Sequence, residues 1–220
     1  LFIGTQLCGN GAECLQGVAD GSIDIFISTS SGAAGISPYI QVLDLPYLMD
    51  DDRVAEKLLT GDFPLKLRDM ALESSGGKIR LMTIGNTGGW RSFDNTEKQV
   101  HTPADLAGMK LRTVEADLPQ ELVRAFGASP TPIPWPELFT SLQTGVVEGT
   151  QNGITDIMNM KFPDAGLDYL TLDNHAYMSA FWFMSNDSFM ALPEDMRRVV
   201  VDGFYQLQQA TFASPKRKSI

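Results

Sequence analysis

Arg112 is the residue of this sequence whose type and position point most directly to chemistry. It lies in the segment GMKLRTVEA, residues 108–116, where Met109, Leu111 and Val114 predict a buried strand. A guanidinium is always charged and is costly to bury without a partner. Arg112 therefore either faces solvent or an acidic side chain, or it meets a bound anion.

Three further side chains could bind an anion together with Arg112. Arg91 follows the segment GGW, Asn152 lies in TQNG after a buried strand, and Trp135 stands between two prolines. Each has a simpler interpretation as well: a solvated charge or salt bridge for the arginine, a turn residue for the asparagine, and core packing for the tryptophan. A rigid aromatic ring beside cations is nevertheless well suited to stack against a small ligand.

The residue types needed for catalysis do not occur in recognisable arrangements. The two histidines, His101 and His175, lie in a loop and in a long apolar strand, away from any Ser or Cys nucleophile motif. The sequence contains no GxGxxG segment or P-loop, and no His, Cys or Asp cluster has the spacing of a metal site. Cations, amides and aromatics without such groups predict a binding protein rather than an enzyme, with no cofactor and no metal.

Composition limits the partners. The chain has 220 residues, is 43% apolar and 20% charged, and carries a formal net charge of −10. This negative charge argues against nucleic acid and anionic membranes as partners, so an anionic ligand must be attracted by a few local cations. No apolar run of about 18 residues predicts a transmembrane helix. The chain starts without Met in strand-like sequence, and we expect both of its ends to be cuts.

The cysteines, Cys8 and Cys14, lie in the segment CGNGAEC. They are either two free thiols or a small disulfide across a Gly-containing loop, which an oxidising compartment would allow.

Strands and helices alternate along the chain, which predicts an α/β fold with a mostly parallel sheet. The glycines in GNTGGW, residues 85–90, predict a flexible passage between two α/β blocks. The apolar alternation over residues 169–185 predicts a strand long enough to run from one block to the other. We therefore expect a first lobe over residues 1–88, a second over 89–176, and a return to the first with a long helix over 177–220.

Most of the chain resembles the substrate-binding proteins of tripartite ATP-independent periplasmic (TRAP) transporters. The matching segments are GGWRSF, DLAGMKLRT, GASPTPIPWPELFTSLQTGVVEGTQNG and ALPEDMRRVV, with a weaker match before them. Of these, residues 127–153 are the most specific. Relative to the family, we expect the chain to lack a first strand and helix and a C-terminal helical portion. The resemblance implies a two-lobed fold like that of periplasmic binding proteins, joined by hinge strands and a long helix.

The resemblance also implies roles for individual residues. Arg112 matches the family's signature arginine, which forms a bidentate pair with the ligand carboxylate. The other positions that match ligand-binding positions of the family are Arg91, Asn152, Trp135, Thr29, Ser30 and Glu115. Two segments depart from the common pattern: QNG stands where many members have ENP, and CGNGAEC replaces a GG form.

The expected function is that of a periplasmic solute receptor, which closes over a small organic acid and delivers it to the TRAP membrane permease. The protein is expected to be a monomer that neither binds nucleic acid nor inserts into the membrane. An exported protein also favours the disulfide between Cys8 and Cys14. The alternatives are a sensory receptor that feeds a signalling protein and, from a different class, an enzyme on the same fold.

Overall fold

The computed structural model describes the backbone of residues 6–218 and the side chains of residues 6–213. The described residues form two compact units. Unit 1 takes them from residues 1–43, 49–87 and 179–220, and unit 2 from residues 44–48 and 88–178. The short segment 44–48 groups with unit 2, although it lies far from the rest of that unit in sequence.

The described strands form a six-stranded sheet in the order β1-β6-β2-β5-β3-β4. The strands are β1 (Ile25–Thr29), β2 (Ile79–Asn95), β3 (Lys110–Thr113), β4 (Ser129–Pro132), β5 (Gly149–Gly153) and β6 (Tyr169–Ser185). β3 is parallel to β4 and β5, whereas β1 is antiparallel to β6 and β2 is antiparallel to β5. The sheet is therefore mixed, and the expectation of a mostly parallel sheet is wrong. The antiparallel pairings involve the two 17-residue strands, β2 and β6, which each pass from one unit into the other.

Residues 85–90, for which a flexible passage is predicted, lie inside β2 and do not form a loop. The glycines of this segment are explained by close packing within each unit. A Cβ on Gly85 would overlap the Thr211 hydroxyl in unit 1, and a Cβ on Gly88 would overlap the Asp156 carboxylate in unit 2. Gly89 alone among these glycines has a positive φ, of 88°.

The described part of the chain contains eight α-helices, and a side chain caps the start of some of them. They are α1 (Gly11–Asp20), α2 (Asp52–Thr60), α3 (Phe63–Ser74), α4 (Asp117–Ala125), α5 (Leu138–Gln143), α6 (Ile154–Asn159), α7 (Asn186–Ala191) and α8 (Glu194–Lys218). Asn10 accepts a hydrogen bond from the Glu13 N–H at the start of α1. Thr102 and Asp105 form a capping box around a 3-10 turn at Pro103–Leu106. Among the described helices, none combines the length and the apolarity that a bilayer crossing requires.

Each unit has its own apolar core. In unit 1, the side chains of α8 pack on the strand segments of that unit, burying Met82, Ala180, Trp182, Met184, Phe189 and Phe204. In unit 2, one cluster contains Phe93, Leu106, Met109, Leu111, Val123 and Ala128. A second cluster in unit 2 contains Ile133, Leu138, Leu142, Val147, Ile157, Phe162, Ala165 and Leu167. Leu111 thus belongs to the first of these clusters, while its neighbour Arg112 points to the opposite face of β3, because side chains alternate along a strand.

Cys8 and Cys14 are joined by a disulfide in the structure, with their Cα atoms 5.2 Å apart. The bridge ties the loop before α1 to the first turn of that helix.

We predict the same bond in the protein expressed in an oxidising compartment. Mass spectrometry of an unreduced digest should recover the two cysteines in one cross-linked peptide, with no alkylation before reduction. Two alkylatable thiols in unreduced protein would contradict this prediction.

Candidate functional site

Arg112 lies in β3 of unit 2 and is only 2% exposed. β3 is held between β4 and β5, and the pairing with β4 places Arg112 opposite Thr131. The Nε–H group donates a hydrogen bond of 2.9 Å to the carbonyl oxygen of Ile133. The guanidinium carbon lies 5.7 Å from the centre of the Trp135 ring. These contacts fix the direction of the guanidinium plane.

The electrostatic surroundings of Arg112 are unfavourable for a cation. Burial, and then repulsion by Arg91, lower the pKa of Arg112 to about 9, and only the Glu115 carboxylate acts in the opposite direction. The side chain is therefore still charged at neutral pH. In the part of the chain that the structure describes, its guanidinium donates one hydrogen bond, the bond to Ile133. A buried cation beside another buried cation is a strong attractor for an anion.

Arg91 is also buried, but carboxylates of unit 2 partly offset the cost of burying its charge. It lies in β2 opposite Gly153 of β5, and its Nη1 donates a hydrogen bond of 2.6 Å to the carbonyl oxygen of Gln151. Burial lowers its pKa, and this effect is opposed by the carboxylates of Asp44, Asp156 and Asp94, in that order. The two arginines differ in this respect, since Arg112 has only Glu115 to oppose its burial.

Asn152 lies inside β5 and not in a loop after the strand, so the predicted position is corrected. It is 2% exposed and pairs with Ser92 of β2. Its Oδ1 accepts a hydrogen bond of 2.9 Å from the Thr150 hydroxyl. Because the oxygen is occupied by this bond, the amide NH₂ group is the part of the side chain suited to donate to a ligand.

Trp135 and Glu115 lie in unit 2, and both follow Arg112 in sequence. Trp135 opens a 3-10 turn, is partly buried, and packs edge-on against Phe162 at 5.5 Å between ring centres. Glu115 is exposed and follows β3. The structure therefore brings Trp135 and Arg91 to Arg112, and it places Asn152 on the strand that pairs with that of Arg91.

Thr29 and Ser30 belong to unit 1, at the end of β1. The Thr29 hydroxyl accepts a hydrogen bond of 3.2 Å from the Gly32 N–H, and Ser30 is 1% exposed. Their role in ligand binding stays a prediction.

Comparison with known proteins identifies the family. A family model described as bacterial extracellular solute-binding protein, family 7, matches residues 3–214. This chain belongs to that family. The resemblance to TRAP substrate-binding proteins that the sequence motifs indicate is thereby confirmed.

The relatives of this family 7 chain include proteins with named ligands. The 2,3-diketo-L-gulonate-binding periplasmic protein YiaO of Escherichia coli is 33% identical over 193 residues, which are 88% of this chain and 57% of that protein. The chain therefore spans little more than half the length of this relative.

Two solved structures match both units. One is the sugar acid binding protein DctPAm from Advenella mimigardefordensis with galactonate, at 28% identity and a TM-score of 0.89, covering 95% of this chain and 66% of that one. Another is a TRAP periplasmic solute-binding protein from Desulfovibrio salexigens with orotic acid, also at 28% identity, with a TM-score of 0.88 and coverage of 97% and 67%. These likenesses confirm the α/β fold class expected from the sequence.

Several buried or partly buried polar residues of this family 7 chain were not identified as site residues from its sequence. They are Asp44, Asp94, Gln151, Asp156, Asp173 and His175. The acidic residues resemble solvated charges when they are read in sequence alone. A period-2 reading of β6 could have paired Asp173 with His175, because residues two apart lie on one face of a strand.

Asp94 has the most unusual environment of this group. It is 1% exposed, and neither carboxyl oxygen meets a donor at hydrogen-bond geometry among the described residues. Burial and then repulsion by Asp173 raise its pKa well above 3.8, while the Asn152 N–H and Arg91 oppose this more weakly. At pH values between its unfolded and native pKa, the native state therefore retains a proton that the unfolded state has released.

Replacing Asp94 with asparagine is predicted to stabilise the protein at neutral pH. The native pKa is raised, so the penalty for Asp94 is absent below the unfolded value and grows as the pH rises through the native value. We expect the Asp94→Asn variant to gain about 1–3 kcal/mol in free energy of unfolding at pH 7, and less at pH 4.5. Urea denaturation at both pH values measures this, with the exposed Asp168→Asn as control. An equal gain in the free energy of unfolding at both pH values would contradict the raised pKa of Asp94.

Proposed function

We propose that this chain is the binding part of a periplasmic solute receptor of a TRAP transporter, and that it captures a small organic acid through Arg112. One observation carries the proposal. Arg112 is a buried, charged guanidinium, and the strongest interaction that it has with another charge is repulsion by Arg91. Such an arrangement is unfavourable in the empty protein and becomes favourable when a carboxylate enters.

The geometry suits a carboxylate in particular. The Nε–H of Arg112 is used by Ile133, which leaves the two terminal nitrogens as the edge for a ligand. Two parallel N–H groups match the two oxygens of a carboxylate, and each charge-assisted hydrogen bond contributes on the order of 1.5–3 kcal/mol. With Arg91 and the Asn152 amide as further donors, and after subtracting the cost of capture, dissociation constants of about 1–10 µM are reasonable.

The names of similar proteins support an acid as the ligand. Diketo-gulonate, galactonate and orotic acid, which those proteins are described with, all carry a carboxylate. We propose the same class for this chain, with Trp135 stacking against the ligand body. Thr29, Ser30 and Glu115 are proposed to contact its remaining groups. A membrane permease as partner, a periplasmic location and the absence of catalysis are parts of the same proposal.

A binding screen tests this function. Thermal-shift measurements with organic acids, among them D-galactonate, orotate and succinate, should identify at least one that raises the melting temperature, and calorimetry then gives its affinity. Galactitol serves as the matched control for galactonate, because it has the same carbon chain without the carboxylate. If none of the acids binds, or if galactitol binds as well as galactonate, the proposal is wrong.

A further inference from the structure

We infer that His175 is a positioning residue for Arg91, acting through Gln151. The inference rests on the proposed function in one respect, which is that Arg91 contacts the ligand. All residues involved belong to unit 2. A continuous set of contacts runs from Asp173 to Arg91.

The ring of His175 is held on three sides. It is 2% exposed and stacks on the Phe93 ring, with 4.7 Å between the ring centres. Its Nδ1 lies 2.7 Å from Oδ2 of Asp173. The other oxygen of Asp173 accepts a hydrogen bond of 3.0 Å from the Phe93 N–H, which anchors the carboxylate to β2. The residue between them, Asn174, has a positive φ of 49° and is held by Ser92.

The remaining ring nitrogen, Nε2, lies 2.9 Å from Oε1 of Gln151. Gln151 is itself 2% exposed and pairs with Phe93 across β2 and β5. Its main-chain carbonyl oxygen is the acceptor for Nη1 of Arg91 at 2.6 Å. The side chain of Gln151 thus binds His175, while its main chain binds Arg91. Fixing the Gln151 side chain therefore also fixes the residue whose carbonyl oxygen accepts the hydrogen bond from Arg91.

These contacts hold Arg91 in the way that a ligand-binding cation requires. A cation that must meet a ligand in one orientation needs neighbours whose own positions are locked by packing and hydrogen bonds. The aromatic stack and Asp173 orient the imidazole, the imidazole orients the Gln151 amide, and Gln151 orients Arg91. A histidine that merely satisfied the core would affect the stability of the unit and leave the Arg91 guanidinium unchanged in the folded protein.

Two variants of His175 separate these roles. In the His175→Asn variant, the amide NH₂ group can replace Nδ1 toward Asp173 but cannot reach Gln151. In the His175→Gln variant, the longer amide replaces Nε2 and can still form a hydrogen bond with Gln151. The two substitutions therefore remove different halves of the same set of contacts.

The first measurement needs no ligand. Hydrogen exchange of the guanidinium protons is followed by NMR in protein labelled with ¹⁵N-arginine, with Arg91→Lys identifying the resonance. We expect His175→Asn to speed exchange at Arg91 at least about fivefold, the factor that corresponds to one net hydrogen bond. Exchange at the Arg112 Nε–H, which binds Ile133, should not change, and His175→Gln should restore the slow exchange at Arg91. Unchanged exchange at Arg91, or equal acceleration at Arg112, would overturn the inference.

The second measurement uses D-galactonate, or the tightest acid from the screen if galactonate does not bind. We expect about a five- to tenfold weaker affinity for His175→Asn and near wild-type affinity for His175→Gln. If His175→Asn speeds exchange at Arg91 but does not weaken binding of the acid, the role of His175 in binding is overturned. The proposed function is then unaffected. If no acid binds the wild-type protein, the proposed function fails, and the exchange measurement alone decides whether His175 positions Arg91.

Discussion

Replacing Arg112 with alanine is expected to weaken the binding of the organic acid at least about 100-fold, because two charge-assisted hydrogen bonds are lost. The Arg112→Lys variant should lose at least about tenfold, since an ammonium cannot reproduce the planar fork of the guanidinium. Calorimetry with the acid identified in the screen measures both values.

The matched control is Arg124→Ala. Arg124 belongs to the same unit and lies on α4, where it is exposed and paired with Glu121. Its removal should leave the affinity unchanged. Loss of Arg112 should not unfold the protein as a broken ion pair would, because burial and Arg91 both disfavour its charge. An Arg112→Ala variant that binds within threefold of wild type would show that Arg112 does not bind the carboxylate.

Replacing Gly153 with alanine is expected to destabilise the protein by about 1–3 kcal/mol or more, as overpacking a buried site does. A Cβ at this position would overlap the carbonyl oxygen of Gly88 and lie 2.9 Å from its Cα. These are backbone atoms of β2, so they cannot move aside as the end of a flexible side chain could. The Gly153 N–H also donates to the sulfur of Met178 at 2.9 Å, which holds it in place.

Gly203→Ala is the matched control for this change. Gly203 lies on the exposed side of α8, and a Cβ there would meet no atom within 4 Å. Alanine in a helix interior is better than glycine by roughly 0.5–1 kcal/mol, so this variant should gain stability. Urea denaturation followed by circular dichroism compares the two. A Gly153→Ala variant as stable as wild type would mean that β2 and β5 are not packed this closely.

The parts of the fold that were predictable from sequence are those with strong local signals. Alternating apolar residues over 169–185 predict β6 with its observed ends. The apolar neighbours of Arg112 predicted β3, and the family motifs directed attention to its guanidinium. A buried charge in an apolar strand is detectable from sequence because the contrast lies within a few neighbouring residues.

The parts that were missed depend on residues distant in sequence. The polar segment TQNG becomes the buried strand β5 because β2 and β3 lie on either side of it. GNTGGW becomes part of β2 because its glycines allow neighbouring groups to approach closely. The contacts of Gln151 with His175 and Arg91 span 24 and 60 residues, respectively. No local pattern can indicate partners at such separations.

The passage of β2 and β6 through both units has a consequence for the order in which the chain can fold. Apart from segment 44–48, unit 2 is one continuous stretch, residues 88–178, inserted into the sequence of unit 1. A nascent chain therefore holds nearly all of unit 2 before residue 179 is made, whereas unit 1 still lacks the β6 segment that pairs with β1, and α8. Because contacts distant in sequence form slowly and domains tend to fold as units, the inserted unit is expected to acquire its structure first. Until the last fifth of the chain emerges, the apolar side chains of unit 1 remain without their helix, and this is the stage at which a chaperone would find them.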